Sequence, residues 1–300
     1  MEYDSFTLTR QEVIDMAALV CPAATPHNSY ERFWTRYVLL TPATAKNRMT
    51  KYGAAAIACD GHKMARLDVS FVGEPIMLYA DSLAKLGREL KKGLKGKRGK
   101  ARAAAKEDKV TFTPNSDADK RRFWVVATWG DKESRVLIHP MPEYRQISGS
   151  HYPDVSFIHP ERLDKSVGSI VMTAGEAKTY FNPKRWEDMP HHYHKGLKRA
   201  VIMVTDGEVS AYDTPENELM DKGAIPLESH DLPDGYAIRV NVSHVHMAVK
   251  SASDKTVVTL TFGEWKAPLV VTRSDEDYDL VSMPVAFQAD DFGLTLRVFN

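Results

Sequence analysis

Residues 58–65 (ACDGHKMA) and 204–211 (VTDGEVSA) each set Asp-Gly between two short apolar runs. That dipeptide between β-forming segments is a hairpin signal, because Gly accepts positive φ without steric cost. The surroundings match as well. Apolar runs at 36–41 (RYVLLT) and 54–59 precede the first turn, and 200–205 (AVIMVT) precedes the second. Downstream, 75–80 (PIMLYA) runs into 81–90 (DSLAKLGREL), and 236–242 (YAIRVNV) runs into 243–251 (SHVHMAVKS). Each reads as a strand entering a short helix. Strands then follow at 109–113 and 122–128 in the first half, and at 256–262 and 269–272 in the second. With the two Asp-Gly hairpins taken as equivalent, the chain is a tandem repeat of an α+β domain. Each copy is mostly β, with two helices expected per copy. Domains are expected at 1–150 and 151–300.

The helices carry more detail. Thr9 and Glu12 fit the T-x-x-E capping box, and Val13, Met16, Ala17 and Val20 then share one apolar face. In the helix at 83–92, Leu83, Leu86 and Leu90 form one stripe, while Lys85, Arg88 and Lys92 repeat the spacing on another face. A helix seated on a sheet by its leucines points those cations outward. Arg10 is the clear cation of the first helix. Residues 91–106 (KKGLKGKRGKARAAAK) follow at once, and this is the most extreme local composition in the chain. Gly93, Gly96 and Gly99 oppose a stable helix at its start, so the segment reads as a flexible basic loop. Lys95, Lys97, Arg98, Lys100 and Arg102 would neutralise phosphates without reading bases. The spacing of a phosphate-binding P-loop is absent. The second copy has only 251–255 at this point, so the basic segment is an insertion in the first. Formal net charge is +0, so a nucleic-acid face requires segregation of charge, and this segment supplies it.

Several classes are disfavoured. Cys21 and Cys59 are the only cysteines, which leaves no disulfide framework and fits a reducing, cytoplasmic setting. The first residues lack an apolar signal core, and no apolar run is long enough to span a bilayer, so no membrane association is expected. No nucleophile elbow, Cys–His signature or Gly-rich dinucleotide turn is found. His62 stands near Asp60, but the turn accounts for Asp60 without catalysis. His191, His192 and His194 suggest imidazole ligands, yet no H-E-x-x-H spacing accompanies them, and a surface loop or subunit contact is the expectation. A metal-dependent enzyme built on that cluster is the remote alternative. No catalytic residue, metal or cofactor is expected.

Four pieces, CDGHKMA (59–65), MPEYRQI (141–147), VNVSHV (240–245) and LVSMPV (280–285), carry a family resemblance. In this order, with the strands and helices between them, most of residues 5–287 resembles the second and third domains of the bacterial DNA polymerase III β subunit-type sliding clamp. The resemblance implies two DNA-clamp domains, each a duplicated β-α-β-β-β unit, with helices lining a ring and sheets outside. It implies a processivity factor that encircles double-stranded DNA without sequence specificity and tethers the replicative polymerase. The basic face of the 83–92 helix would then meet the duplex. It also implies an interdomain pocket for short apolar peptides of the polymerase, the clamp loader and other replication proteins. Carried over by position, that pocket comprises Thr35, Cys59, Gly61, His62, Lys63, Met64, Pro142, Ile147, Val281, Ser282, Met283, Pro284 and Val285, with His244 at its edge. Methionine suits such a site, because it adapts to varied ligands.

The chain departs from the family in three places. The family's first domain has no counterpart, so closure of the usual six-domain ring is expected from a homotrimer. Residues 175–198 stand where the third domain's first helix belongs, without a recognisable match. Residues 288–300 (QADDFGLTLRVFN) continue past the family's usual end, as an added edge strand or as a segment covering the pocket. The alternative within the same family is a clamp-like decoy or adaptor that binds replication proteins without encircling DNA.

Overall fold

The computed structural model describes residues 4–24, 35–42, 53–117, 122–139, 166–186, 198–213, 220–263 and 268–282. The chain divides into two compact units, Met1–Phe157 and Ile158–Asn300.

Unit 1 begins with β1 (Phe6–Thr9) and α1 (Arg10–Asp15), which continues through a π-helical turn (Met16–Val20) and a 3₁₀ turn (Cys21–Ala23). Then come β2 (Tyr37–Thr41), β3 (Ala55–Cys59), β4 (Lys63–Asp68), β5 (Ile76–Tyr79), α2 (Ala80–Lys92), α3 (Gly99–Glu107), β6 (Lys109–Asp117), β7 (Arg122–Trp129) and β8 (Lys132–His139). The strands lie in the order β1-β6-β7-β8-β5-β2-β3-β4, and every pairing is antiparallel. The unit is therefore two β-α-β-β-β halves whose first strands are exchanged. β1 joins the meander β6-β7-β8, and β5 joins the meander β2-β3-β4. Neither half can complete its sheet alone.

Unit 2 repeats the plan. β9 (Ser166–Thr173) enters α4 (Ala174–Tyr180), followed by β10 (Arg199–Thr205), β11 (Glu208–Asp213) and β12 (Met220–Ala224). After the two-residue strand β13 (Ser229–His230), β14 (Ala237–Asn241) enters α5 (Val242–Val249), followed by β15 (Val257–Gly263), β16 (Leu269–Arg273) and β17 (Glu276–Ser282). Its strand orders are β14-β10-β11-β12 and β17-β16-β15-β9-β13. Without β13, the neighbours within each half are those of unit 1, but β17 and β14 are not paired as β8 and β5 are, so the two halves of unit 2 stay in separate sheets. The duplicated α+β clamp-domain architecture is thus present in both units.

The core follows the helical stripes and strand interiors. Leu83, Leu86 and Leu90 of α2 are fully buried, as are Leu8, Leu40, Ile57, Met77 and Phe112 of the strands. Phe6 stacks on Phe112 with ring centroids 4.7 Å apart and meets Phe71 edge-on at 5.2 Å. Gly87 allows α2 to approach the first helix, since a Cβ there would stand 2.1 Å from the Ala17 Cβ.

Three expectations need correction. The two Asp-Gly turns are not equivalent. Asp206 and Gly207 both have positive φ (52° and 74°) and form a two-residue turn between β10 and β11, the I′ pattern that matches strand twist. Asp60–His62 instead connects β3 to β4, one hairpin later in its copy. Second, the basic segment is not a loop throughout. Turns at 93–96, with Gly96 at φ +82°, end α2, and the alanine-rich stretch then forms α3. Third, the unmatched segment 175–198 starts inside a helix. Thr173 and Glu176 cap α4 reciprocally, as Thr9 and Glu12 cap α1.

Candidate functional site

The candidate site has two parts, a charged helical surface and the residues assigned to a partner pocket. α2 carries Asp81 in its first turn and Lys91 and Lys92 in its last, the arrangement that complements a helix dipole. Burying the leucine stripe leaves Lys85, Arg88, Lys91 and Lys92 exposed. Lys95, Lys97, Arg98, Lys100 and Arg102 are exposed as well. Between Ala80 and Glu107 there are ten Lys and Arg against three Asp and Glu. Like charges packed this closely lower their own energy when phosphates displace the counterions around them. Lys91 and Lys106 also belong to this surface, and the charge run itself was the signal for them.

Arg10 does not belong to it. It is buried, and its Nη1 donates to the Ala105 carbonyl at 3.3 Å and lies 3.1 Å from Asp108 Oδ2. Its backbone N–H donates to the Asp108 carbonyl at 2.8 Å. Arg10 therefore fixes the end of α3 against the start of α1, and it is not an outward cation.

The helices of unit 2 differ in charge. On α4, Lys178 Nζ donates to the Ala252 carbonyl at 2.5 Å and to Asp254 Oδ1 at 2.8 Å. On α5, Ser243, His244, His246 and Met247 are half-buried, and Lys250 beyond its end is exposed. Burial, reinforced by Lys250 and Lys178, holds His246 below its ordinary pKa, so the neutral imidazole is favoured.

Of the pocket residues, Thr35, Cys59 and Met64 are buried in unit 1, and Cys59 and Met64 face each other in the β3–β4 ladder. Burial pushes the Cys59 thiol up. Gly61, at φ +91°, and His62 lie exposed in the turn, and the Gly61 N–H donates to Cys59 Sγ at 3.4 Å. Asp60 Oδ1 accepts from the N–H groups of His62 and Lys63, both at 2.9 Å, and its other oxygen pairs with the Lys63 ammonium. Burial alone would raise the Asp60 carboxyl. Lys63 and the two N–H bonds outweigh it, so its pKa is lowered. The turn thus accounts for Asp60 in full.

In unit 2, Val281 and Ser282 are buried at the end of β17. Ser282 Oγ lies 2.7 Å from His244 Nδ1, while His244 Nε2 lies 3.2 Å from Asn241 Nδ2. The buried Asn241 caps α5 by accepting from the Ser243 N–H at 3.0 Å. His244 and Ser282 are thus brought together, and Asn241, not singled out in the sequence, holds the imidazole from its other side. The signal for it was an Asn directly before a helix. Pro142, Ile147, Met283, Pro284, Val285, the histidines at 191, 192 and 194, and the tail 288–300 lie outside the described residues. Among the described residues, no group of three or more His, Cys, Asp or Glu side chains could hold a metal ion, and no helix is long and apolar enough to cross a membrane.

No family model matches the sequence, and no curated protein matches it. Solved structures do. The DNA polymerase III beta chain of Streptococcus pneumoniae superimposes with a TM-score of 0.67 over 96% of this chain and 65% of its own, at 14% identity. The sliding clamp of Pseudomonas aeruginosa bound to griselimycin gives 0.66 over 96% and 66%, at 13% identity. The sliding clamp of Bacillus subtilis gives 0.66 over 96% and 65%, at 11% identity. This chain has the sliding-clamp fold. It spans about two thirds of the length of those clamps.

Proposed function

We propose that this chain is a DNA sliding clamp, a non-enzymatic processivity factor that surrounds duplex DNA and tethers a replicative polymerase. The observation that carries this is the clamp fold combined with the cationic face of α2, where burial of Leu83, Leu86 and Leu90 leaves Lys85, Arg88 and Lys92 exposed. Such a face holds phosphates electrostatically and lets the protein move along the duplex. For a chain carrying two clamp units, a six-unit ring takes three copies, so a homotrimer is proposed. The residues around Cys59–Met64 in unit 1, and His244, Val281 and Ser282 in unit 2, are proposed as parts of the pocket that takes apolar peptides from the polymerase and the clamp loader. Met64 and Val281 are its apolar floor in this proposal, and the exposed His62 is a rim contact.

The test is retention on nicked circular DNA. A clamp stays on the circle through gel filtration and slides off when the circle is linearised. Light scattering should give the mass of three chains. Failure of retention with clamp-motif peptide binding intact would replace this reading with that of an adaptor that binds replication proteins without encircling DNA.

A further inference from the structure

We infer that α3, together with the turn that precedes it, is a phosphate-binding surface of its own, an addition to unit 1 that the matching connection of unit 2 does not have. The identity of the polyanion rests on the function proposed above, but ring closure is not required.

The second unit supplies the internal reference. Between α5 and β15 the chain passes through two short turns, with the Ala252 N–H donating to the Val249 carbonyl and the Thr256 N–H to the Ser253 carbonyl. Between α2 and β6 the same connection holds a nine-residue helix. α3 contributes little to the core, because Ala105 is its one buried residue. A surface helix with so small an apolar face gains little from packing, and an exposed run of like charge opposes its folding. It is nevertheless held in place. Arg10 donates to the Ala105 carbonyl and pairs with Asp108, and Leu94 is buried ahead of α3. Anchoring at both ends presents Lys95, Lys97, Arg98, Lys100 and Arg102 as an ordered set. None of these five forms an ion pair among the described residues. An ordered, unpaired cationic set fits a regular array of phosphates, and duplex DNA presents one. In unit 2, Lys178 is already engaged with Asp254, α5 offers histidines in place of lysines, and the exposed cations Lys184, Arg185, Lys250 and Lys255 stand in turns with no added helix to array them.

The test uses the full chain and a short blunt linear duplex, from which a ring can slide freely. Affinity is measured across a salt series for the parent, for K95Q/K97Q/R98Q/K100Q/R102Q and for K250Q. The five-site variant should bind at least about tenfold more weakly at low salt, and its log–log salt slope should flatten by about 0.9 for each phosphate no longer neutralised. K250Q should stay within about twofold of the parent. Because the substituted side chains are exposed and their mutual repulsion is relieved, thermal unfolding should not fall below that of the parent. If the five-site variant does not fold, acetylation footprinting of the parent decides, since duplex should protect Lys95, Lys97 and Lys100 and leave Lys250 reactive. A five-site variant with the parent's affinity and slope overturns the inference. So does a parent that binds polyglutamate as tightly as duplex of equal charge, because the surface would then suit an acidic polypeptide. Absence of retention on circles with this linear binding intact would remove the clamp reading and leave α3 as proposed. Retention on circles, with linear binding unchanged in the five-site variant, would do the reverse.

Discussion

The two units share the strand order of each half and a capping device but differ in what their helices show to the outside. In unit 1, the first helix and α2 meet so closely that a Cβ on Gly87 would overlap Ala17, and the outward face is cationic. In unit 2, the nearest constraint on a helical glycine is milder: a Cβ on Gly175 would stand 3.1 Å from the Asp254 Cβ. Its α5 shows half-buried histidines and a methionine, and the exposed cations Lys184, Arg185, Lys250 and Lys255 lie beyond the ends of α4 and α5. Strand pairing uses backbone groups and tolerates almost any outward side chain, so one topology has kept its ladder while its surface charge diverged. Helix–helix contact depends on side-chain size, so packing diverged along with charge.

The largest effect should come from the glycine contact. Gly87→Ala places a methyl group into the Ala17 side chain and the Val13 carbonyl region. It should destabilise unit 1 by about 1–3 kcal/mol, although alanine is the better helix former by about 1 kcal/mol. Gly175→Ala should change stability by less than about 1 kcal/mol. Hydrogen exchange read by mass spectrometry assigns the destabilisation to a unit, and faster exchange should appear in α1, α2 and β4 alone. Equal effects from the two substitutions would show that the helical layers pack alike.

Charge gives the next effect. Arg88→Gln on α2 should flatten the salt slope of duplex binding by about 0.9. His246→Gln at the equivalent layer of unit 2 should leave that slope unaltered, since burial and two neighbouring lysines keep the imidazole neutral. A comparable flattening from His246→Gln would spread the contact over both units.

The contrast also explains what could be read from the sequence. α2 was legible because Leu83, Leu86 and Leu90 recur at helical spacing, and most strands were legible from their apolar runs, but β1, β8, β9, β12 and β13 were not read. The phase of the repeat was not, because one dipeptide serves two turns. Asp206–Gly207 closes a two-residue hairpin, whereas Asp60 spends its carboxylate on capping a longer turn. Spacing held the clue, since three residues separate β3 from β4 and two separate β10 from β11. α3 was hidden by its flanking glycines, although Ala103, Ala104 and Ala105 favour helix. α4 was hidden by Gly175, although Thr173 and Glu176 repeat the capping pair of Thr9 and Glu12. Burial of Arg10 was out of reach, because its partners Ala105 and Asp108 are distant in sequence. The proposal of a partner pocket rests on the family resemblance, and local physics alone leaves Cys59, Met64 and Val281 as core residues.

The smallest effect separates the two capping boxes. Glu176 accepts from Thr173 alone among the described residues. Glu12 accepts from the Thr9 N–H at 2.6 Å and the Thr9 hydroxyl at 2.8 Å, and its other oxygen accepts from the Ser70 N–H at 2.5 Å. The first capping box therefore also ties α1 to the end of β4. Burial acts to raise the Glu12 carboxyl, but the bonds from Ser70 and Thr9 outweigh it and hold its pKa below the ordinary value. A carboxyl lowered on folding stabilises the native state at pH above its unfolded pKa. That contribution is lost as pH falls through the folded value, which lies below the ordinary glutamate range. Glu12→Gln should cost about 1–2 kcal/mol at neutral pH, and Glu176→Gln about half as much. In urea unfolding at pH 7 and pH 3, the gap between Glu12→Gln and the parent should narrow at the lower pH. A gap that stays constant would mean that Glu12 acts through shape alone, and the two capping boxes would then be equivalent.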